Sequence, residues 1–270
     1  MIACVLLGLA TQTQPQKESP ADSPAQPNEV DSAALPSAEE VFRRNAAAIG
    51  EPDKVAAVKS IRIDGRYLGR PFTFPARLTI WREYPNKFHL KIQQPAGEVI
   101  EIGFDGQRGW ERQPGIGLRK VEGIRLFELR DTSDFWGEAN WENRYVDFKV
   151  LGRTEFEGVK AVAVHVKALS GREKVLIFSE QSGLYLGSLT KTVHPDSGAP
   201  VEFQTVLKPY EEFEGVKIPM GMTQRFKGEE KATEYDYVRV TINPEQKHDF
   251  SPPAEILDQY EDGEHDKAGG

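Results

Sequence analysis

Cysteine is almost absent from the chain, and the short motifs of common enzymes are missing. Cys4 is the only cysteine among 270 residues, which excludes an internal disulfide framework, a multi-cysteine metal site and a thiol nucleophile in the folded body. The sequence has no Gly-x-Ser-x-Gly elbow, His-Glu-x-x-His pair, Gly-x-x-x-x-Gly-Lys phosphate loop or Gly-x-Gly-x-x-Gly fingerprint. We therefore expect neither a catalytic centre nor a cofactor.

Positive charge is in deficit. The 34 basic and 42 acidic residues give a formal net charge of −8 and an isoelectric point near 5.3. No overall field would draw the protein to phosphate backbones or anionic lipid headgroups. We expect no nucleic-acid partner, and we expect a monomer.

The N-terminal apolar run, MIACVLLGLA, is too short to span a bilayer. It ends in Gly8-Leu9-Ala10, a small-x-small pattern typical of a signal-peptidase site. Residues 1–10 are therefore interpreted as the remnant of a secretory signal peptide that starts upstream, which predicts a periplasmic or other extracytoplasmic location. Two alternatives stay open: a chance apolar terminus, and acylation of Cys4, which the apolar residues after Cys4 disfavour.

Composition divides the rest of the chain into a tether, a folded body and a tail. Residues 11–36 are rich in Pro, Gln, Ser and Ala and are predicted to be a disordered tether. Residues 254–270 are acidic and end in glycines, which predicts a flexible tail, although three apolar residues within it could dock a short helix. The folded body is then expected at residues 37–253.

The body opens with a helical pattern and continues with strands. Ser37 and Glu40 form a capping box ahead of apolar residues at helical spacing, and Gly50 ends that run. Beyond Ile61, apolar and polar residues alternate, and the short turns between alternating segments leave no room for crossover helices. This predicts an antiparallel meander, interrupted at residues 123–143 by an aromatic-rich insert that is partly helical.

The hexapeptide EFEGVK occurs twice, at residues 155–160 and 212–217. In each copy Glu-Gly lies between two alternating segments, and glycine tolerates the positive φ of a tight hairpin turn. We interpret the repeat as one hairpin turn used twice, without a duplicated functional site.

Titratable residues form no convincing catalytic or metal pattern. The five histidines are scattered singly, and His248-Asp249 is the nearest approach to a metal pair. The carboxylates that a glycoside hydrolase would need are present, but their spacing isolates no pair. They are Glu98, Glu101, Asp105, Glu111, Glu138 and Glu142. Each is interpreted as a structural or solvated side chain.

Five segments of the body resemble the outer-membrane lipoprotein-sorting family, the LolA/LolB-like group that includes the sensor RseB and mycobacterial lipid carriers. The segments are AEEVFRRNAAAIGEPDKVAAVKSIRIDGRY, REYPNKFHLKIQQPAGEVIEIGFDGQRGWE, FSEQSGLYLGSLTKT, YEEFEGVKIPMGM and VTINPEQKHDFSPP. The resemblance covers about residues 36–253 and consists of fold signatures, so no catalytic residue can be carried over.

The resemblance implies an α+β, mostly β fold. Its single antiparallel sheet of about 10–11 strands would be strongly curved into a half-open β-barrel, with a few helices on the concave face. It also implies a non-enzymatic envelope protein with an apolar cavity for lipid or the acyl chains of lipoproteins, walled by the alternating strands and closed by the insert. The candidate cavity residues are Phe74, Leu78, Ile80, Phe88, Leu90, Ile92, Ile100, Ile102, Phe104, Leu126, Phe127, Leu129 and Phe135.

Two other functions stay open. The first is an RseB-like sensor or regulatory protein that binds an envelope protein partner, which a small, filled cavity and an exposed apolar patch would favour. The remote alternative is an envelope carbohydrate hydrolase, which requires two carboxylates facing each other across a cleft.

Overall fold

A computed structural model describes residues 34–194 and 197–260. The predicted signal remnant, Cys4 and nearly all of the predicted tether lie outside these described residues, as do residues 195–196 and 261–270.

The described residues form three α-helices, two 3₁₀ segments and fifteen strands. The helices are α1 (Ala38–Ile49), α2 (Pro52–Ala57) and α3 (Gly123–Ser133), and the 3₁₀ segments are Gly137–Asn143 and Ala254–Ile256. The strands are β1 (Ser60–Leu68), β2 (Ala76–Glu83), β3 (Lys87–Gln93), β4 (Val99–Phe104), β5 (Gly109–Gln113), β6 (Gly117–Val121), β7 (Tyr145–Phe156), β8 (Val159–Ala168), β9 (Glu173–Ser179), β10 (Tyr185–Val193), β11 (Pro200–Leu207), β12 (Tyr210–Phe213), β13 (Val216–Pro219), β14 (Gly221–Phe226) and β15 (Thr233–Ile242).

Thirteen strands form one antiparallel sheet, which confirms the predicted mostly β, open-barrel fold. Their order is β6-β5-β4-β3-β2-β1-β15-β14-β11-β10-β9-β8-β7, so β6 and β7 are the two outer edges. The sheet has more strands than the expected ten or eleven, partly because β5 and β6 are difficult to predict from the sequence. Each has only five residues. Their sequences, GWERQ and GLRKV, are too charged to show a clear apolar alternation.

Both copies of EFEGVK are two-residue hairpin turns, as predicted. Glu157 and Gly158 join β7 to β8 with φ values of 49° and 78°, and Glu214 and Gly215 join β12 to β13 with 52° and 83°. Positive φ at both central residues is the geometry that matches the twist of paired strands. The two copies therefore form the same type of turn in two separate hairpins.

Prolines explain where the strands stop. The sequence pattern predicts strands over residues 201–210 and 217–226, and the structure divides each of them, at Pro209 and after Pro219. Proline has no N–H to donate to the ladder, so β12 and β13 leave the large sheet and pair only with each other. This hairpin packs beside α1, where Gly50 forms a bridge with Val216.

Two apolar clusters fill the concave face. One is centred on β1 to β4 and β15, and the other lies between α1 and strands β7 to β10. Helix α1 begins as predicted, because the Ser37 hydroxyl accepts a hydrogen bond from the Glu40 amide at 3.2 Å. Its Phe42 is fully buried and stacks on Trp141 with ring centroids 5.2 Å apart.

The predicted boundary at residue 253 falls too early. Ile256 is buried in the short segment that follows it. The Tyr260 hydroxyl donates to the Gly109 carbonyl at 2.6 Å, and the Lys120 ammonium donates to the Gln259 carbonyl at 2.9 Å. Residues 254–260 therefore belong to the folded body, where they cover the β5–β6 edge.

Candidate functional site

The predicted cavity wall is a dry, packed surface. Eight of the residues predicted to face inward are at most 1% exposed and belong to one cluster. They are Leu78, Ile80, Phe88, Leu90, Ile92, Ile100, Ile102 and Phe104. Their alternation along β2, β3 and β4 places them on a single face, in register across the three strands. Whether this wall binds a ligand stays a prediction.

Two of the predicted cavity residues lie elsewhere. The prediction that Phe74 points inward from a strand is wrong: it precedes β2 and is 73% exposed. Pro71 and Pro75 on either side cannot donate to a ladder, so the alternation that continues through Phe74 in the sequence is not a strand. Phe127 lies on α3 as part of the insert, but it is 52% exposed and faces away from the wall.

The insert crosses the concave face and links the two sheet edges, β6 and β7. We call residues 123–143 the strap. Leu129 and Phe135 of the strap are 5% and 4% exposed and pack on the wall, while Leu126 is partly buried against it. A Cβ placed on Gly109 of β5 would lie within 2.9 Å of the Leu126 and Leu129 methyl groups, so α3 is seated directly on this glycine. The strap thus covers part of the apolar wall.

A buried cation on the sheet anchors the strap. Arg82 of β2 is 5% exposed, and its Nη2 donates to the Thr132 carbonyl at 3.3 Å and to the Asp134 carbonyl. These carbonyls lie at the C-terminal end of α3, where the helix dipole favours a positive charge. Burial lowers the pKa of Arg82 to about 10, against the opposing effect of Asp134, so the side chain remains a cation at neutral pH.

A second polar contact holds the strap at Glu138. Glu138 is 1% exposed, and its Oε1 lies 3.3 Å from Arg144 Nη1 and 3.6 Å from Lys174 Nζ. Burial acts to raise the pKa of Glu138, but the charges of Arg144 and Lys174 outweigh it and lower the pKa below the usual glutamate value. Glu138 Oε2 and Arg144 Nε have no hydrogen-bond partner among the described residues. The concave face therefore contains a polar centre beside its apolar wall.

The two buried glutamates lack the raised pKa that the acid of a hydrolase requires. The Glu111 carboxylate accepts from Arg119 and Arg125, whose charges outweigh burial and lower its pKa. Glu138 is held ionised in the same way. A glycosidase needs one carboxyl with a raised pKa to act as the acid, and both buried glutamates are shifted in the opposite direction. Nor do the described residues contain a cluster of three or more His, Cys, Asp or Glu side chains that could hold a metal ion.

The convex face contains a cluster of aromatic and histidine side chains that the sequence did not predict. His89 of β3 and His248, which follows β15, are joined between Nδ1 and Nε2 at 2.7 Å. Trp81 stacks on His248 at 4.2 Å, and Trp110 covers His89 at 4.9 Å. A Cβ at Gly103 would lie 2.2 Å from the Trp110 ring, so only glycine leaves room for this indole. The one sequence feature that pointed to this cluster was the position of His89 among the polar residues of the alternating pattern in β3.

A cleft of about 480 Å³ opens beside this cluster. Its lining is mainly polar and consists of Lys87, Asp105, Gly106, Gln107, His248, Asp249, Phe250 and Ser251. The Asp249 carboxylate accepts from the Ser251 amide at 2.9 Å, while His248 contacts His89. This cleft is separate from the apolar wall of the concave face.

Comparison with known proteins identifies the fold. No family model and no curated protein matches the sequence. A DUF1329 family protein from Desulfovibrio piger is 12% identical, with a TM-score of 0.54 over 77% of this chain and 94% of that one. A LolA superfamily protein from Nitrosomonas europaea is 11% identical, with a TM-score of 0.51 over 83% and 98%. A Vibrio parahaemolyticus domain described as an outer membrane lipoprotein-sorting protein is 10% identical, with a TM-score of 0.52 over 77% and 95%.

These similarities establish the class of structure: the chain has the open antiparallel barrel fold of the LolA superfamily. The expected resemblance is thereby confirmed at the level of the fold. Among the described residues, no helix is both long enough and apolar enough to cross a membrane.

Proposed function

We propose that this protein is an exported, non-enzymatic binding protein of the cell envelope, which takes lipid or the acyl chains of lipoproteins against its concave face. The fold it shares with a lipoprotein-sorting domain supports the proposal, and so does the continuous apolar wall formed by β2, β3 and β4. The extracytoplasmic location rests on the N-terminal signal-like run.

The strap is the observation that carries this proposal. It covers the wall, and polar groups hold its middle section, through Arg82 and through Glu138 with Lys174. Water can replace such contacts when the strap moves, whereas the exposed wall would need a new apolar cover. An acyl chain supplies that cover. Glu138 Oε2 and Arg144 Nε, which lack partners among the described residues, can then meet its polar end.

Native mass spectrometry tests the proposal directly. Protein purified gently from its native envelope should carry a lipid adduct, and extraction followed by tandem mass spectrometry should identify the lipid class. The delipidated protein should then bind a dansyl-labelled fatty acid in a saturable way, with competition by the extracted lipid. Protein that is free of lipid in several preparations and also fails to bind the probe would contradict the proposal.

A second candidate is a regulatory protein that contacts an envelope protein partner. The observation that favours it is the filled interior, since the strap packs against the wall. Strand β7 offers a contact surface, because it is a twelve-residue outer edge with Val146 61% exposed and Leu151 49% exposed. A photo-crosslinking residue at Leu151 should trap a protein in intact envelopes under this candidate, while the same residue at Val238 on β15 should not.

A further inference from the structure

The hairpin tip between β1 and β2 exposes more apolar surface than the fold requires. Phe74 is 73% exposed, the largest fraction among the exposed large apolar side chains of the described residues, and Leu68 is 41% exposed. The next aromatic, Phe72, is turned inward and is 6% exposed. Phe72 therefore packs inside the tip, whereas Phe74 points into solvent.

The backbone of this tip is held in a defined shape. The Tyr67 hydroxyl donates to the Arg70 carbonyl at 2.5 Å, and the Phe72 amide donates to the Gly69 carbonyl at 3.0 Å. Tyr67 and Phe72 also make an edge-to-face contact with ring centroids 6.2 Å apart. These contacts hold the backbone on which Phe74 is exposed. Binding through Phe74 would therefore lose little conformational entropy of the loop.

Two arginines lie at the ends of the strands that the tip joins. Arg66 and Arg77 are both exposed, and Arg66 lies directly opposite Arg77 in the β1–β2 ladder. Like charges directly opposite each other destabilise a sheet. Neither Arg66 nor Arg77 forms an ion pair within residues 34–194 and 197–260.

The acidic neighbours of this arginine pair are engaged elsewhere. Asp236 lies opposite Arg66 on β15, and Glu234 lies opposite Leu68. Both carboxylates contact the Lys208 ammonium, Glu234 at 3.6 Å. The tip is therefore locally cationic, although the whole chain has a formal net charge of −8. Solvent ions screen the distant acidic groups beyond about 8–10 Å at physiological ionic strength.

We propose that the β1–β2 tip is a membrane-docking element for bilayers that contain anionic lipids. Phe74 and Leu68 insert at the boundary between headgroups and acyl chains, where an aromatic ring is favourable. Arg66 and Arg77 bind the headgroup phosphates, which relieves their mutual repulsion. The exposed Phe74 beside Arg66 and Arg77, which form no ion pair among the described residues, matches such a surface. The docking does not depend on whether the concave face holds a lipid.

Vesicle co-sedimentation tests the docking with the purified full chain. Wild-type protein should bind vesicles of phosphatidylglycerol and phosphatidylcholine at least tenfold more tightly than vesicles of phosphatidylcholine alone. Phe74→Ser should weaken binding by about tenfold or more, the factor expected for exposing a buried phenylalanine. The double variant R66Q/R77Q should weaken it by about thirtyfold, since each basic residue near an anionic surface contributes about 1 kcal/mol, and added salt should weaken the wild type.

Val238→Ser is the matched control, because Val238 is 62% exposed on β15 but has no place in the tip. It should bind the anionic vesicles like the wild type, and all variants should keep the wild-type thermal midpoint. Four results would overturn the proposal: no binding by the wild type, equal binding to neutral vesicles, full binding by Phe74→Ser, or a wild-type dimer that Phe74→Ser converts to a monomer in light scattering. The last result would make a second copy of this chain the occupant of the tip.

Discussion

The imidazoles of His89 and His248 are in contact at 2.7 Å, although 159 positions separate them in the chain. His248 belongs to the segment after β15, so this contact fastens the C-terminal segment to the convex face of the sheet. The indole of Trp81 stacks on His248 with ring planes 5° apart, which shields the pair from water.

This histidine pair predicts a loss of stability in mild acid. Burial lowers the pKa of His89 to about 3, with His248 and Lys91 acting in the same direction, and burial also lowers the pKa of His248. The unfolded chain therefore binds more protons below its ordinary histidine pKa of about 6.5, so the free energy of unfolding falls as pH drops through that value. Urea unfolding at pH 7.5, 6 and 5 measures the slope.

The variant His248→Gln should reduce this slope between pH 6.5 and 5, because it removes one of the two lowered histidine pKa values. This window lies above the lowered carboxylate pKa values of Glu111 and Glu138. His165→Gln, at a histidine on β8 away from the pair, should retain it. An unchanged slope in His248→Gln would show that the pair does not set the acid sensitivity.

The C-terminal boundary can be tested by truncation. Removal of residues 261–270 should leave the thermal midpoint unchanged, whereas removal of residues 254–270 should lower it, because Ile256 and the Tyr260 hydrogen bond to Gly109 are lost. Ile256→Ala alone should cost about 2–4 kcal/mol, as expected for a buried isoleucine. Equal midpoints for the two truncations would contradict the assignment of residues 254–260 to the folded body.

The two EFEGVK turns predict opposite effects at adjacent positions. Gly158→Val and Gly215→Val should each destabilise by about 1–3 kcal/mol, since φ is positive at both glycines. Glu214 also has positive φ, so Glu214→Asn should stabilise by a few tenths of a kcal/mol, because asparagine tolerates this region better. Differential scanning calorimetry measures the three thermal midpoints. If none of them differs from the wild-type value, the turn assignment is wrong.

Arg82 should control the mobility of the strap. Arg82→Met removes the donor to the Thr132 and Asp134 carbonyls, at a cost of about 1–3 kcal/mol for hydrogen bonds lost at buried acceptors. Hydrogen exchange should accelerate first in residues 123–143. Arg82→Lys keeps the charge and should have a smaller effect, while uniform acceleration across β7 to β10 would show global rather than local opening.

The apolar wall could be predicted from the sequence because alternation alone encodes it. Leu90, for example, lies in the middle of three strands with the same period, so its inward direction followed from the pattern. The positive φ of the two hairpins followed from Glu-Gly for a similarly local reason. Both features depend on residues that are close in the sequence.

Features that depend on distant residues could not be predicted. The approach of His248 to His89 and the seating of α3 on Gly109 are set by how the sheet curves and where its connections cross. Phe74 was misplaced because alternation continues through it, although the prolines on either side end the ladder. A flat sheet would have the same alternation of apolar and polar residues but would not bring these residues into contact.

The central claim is that the strap covers a ligand-binding wall, and titration of the delipidated protein with a dansyl-labelled fatty acid tests it most directly. Leu126 is partly buried against the wall, whereas its neighbour Phe127 is 52% exposed on the same helix. We predict that the wild type binds the probe, that Leu126→Asn loses it with no more than about 1 kcal/mol of destabilisation, and that Phe127→Asn retains it. A wild type that binds no probe, or a Leu126→Asn variant that folds and binds it fully, would contradict the account.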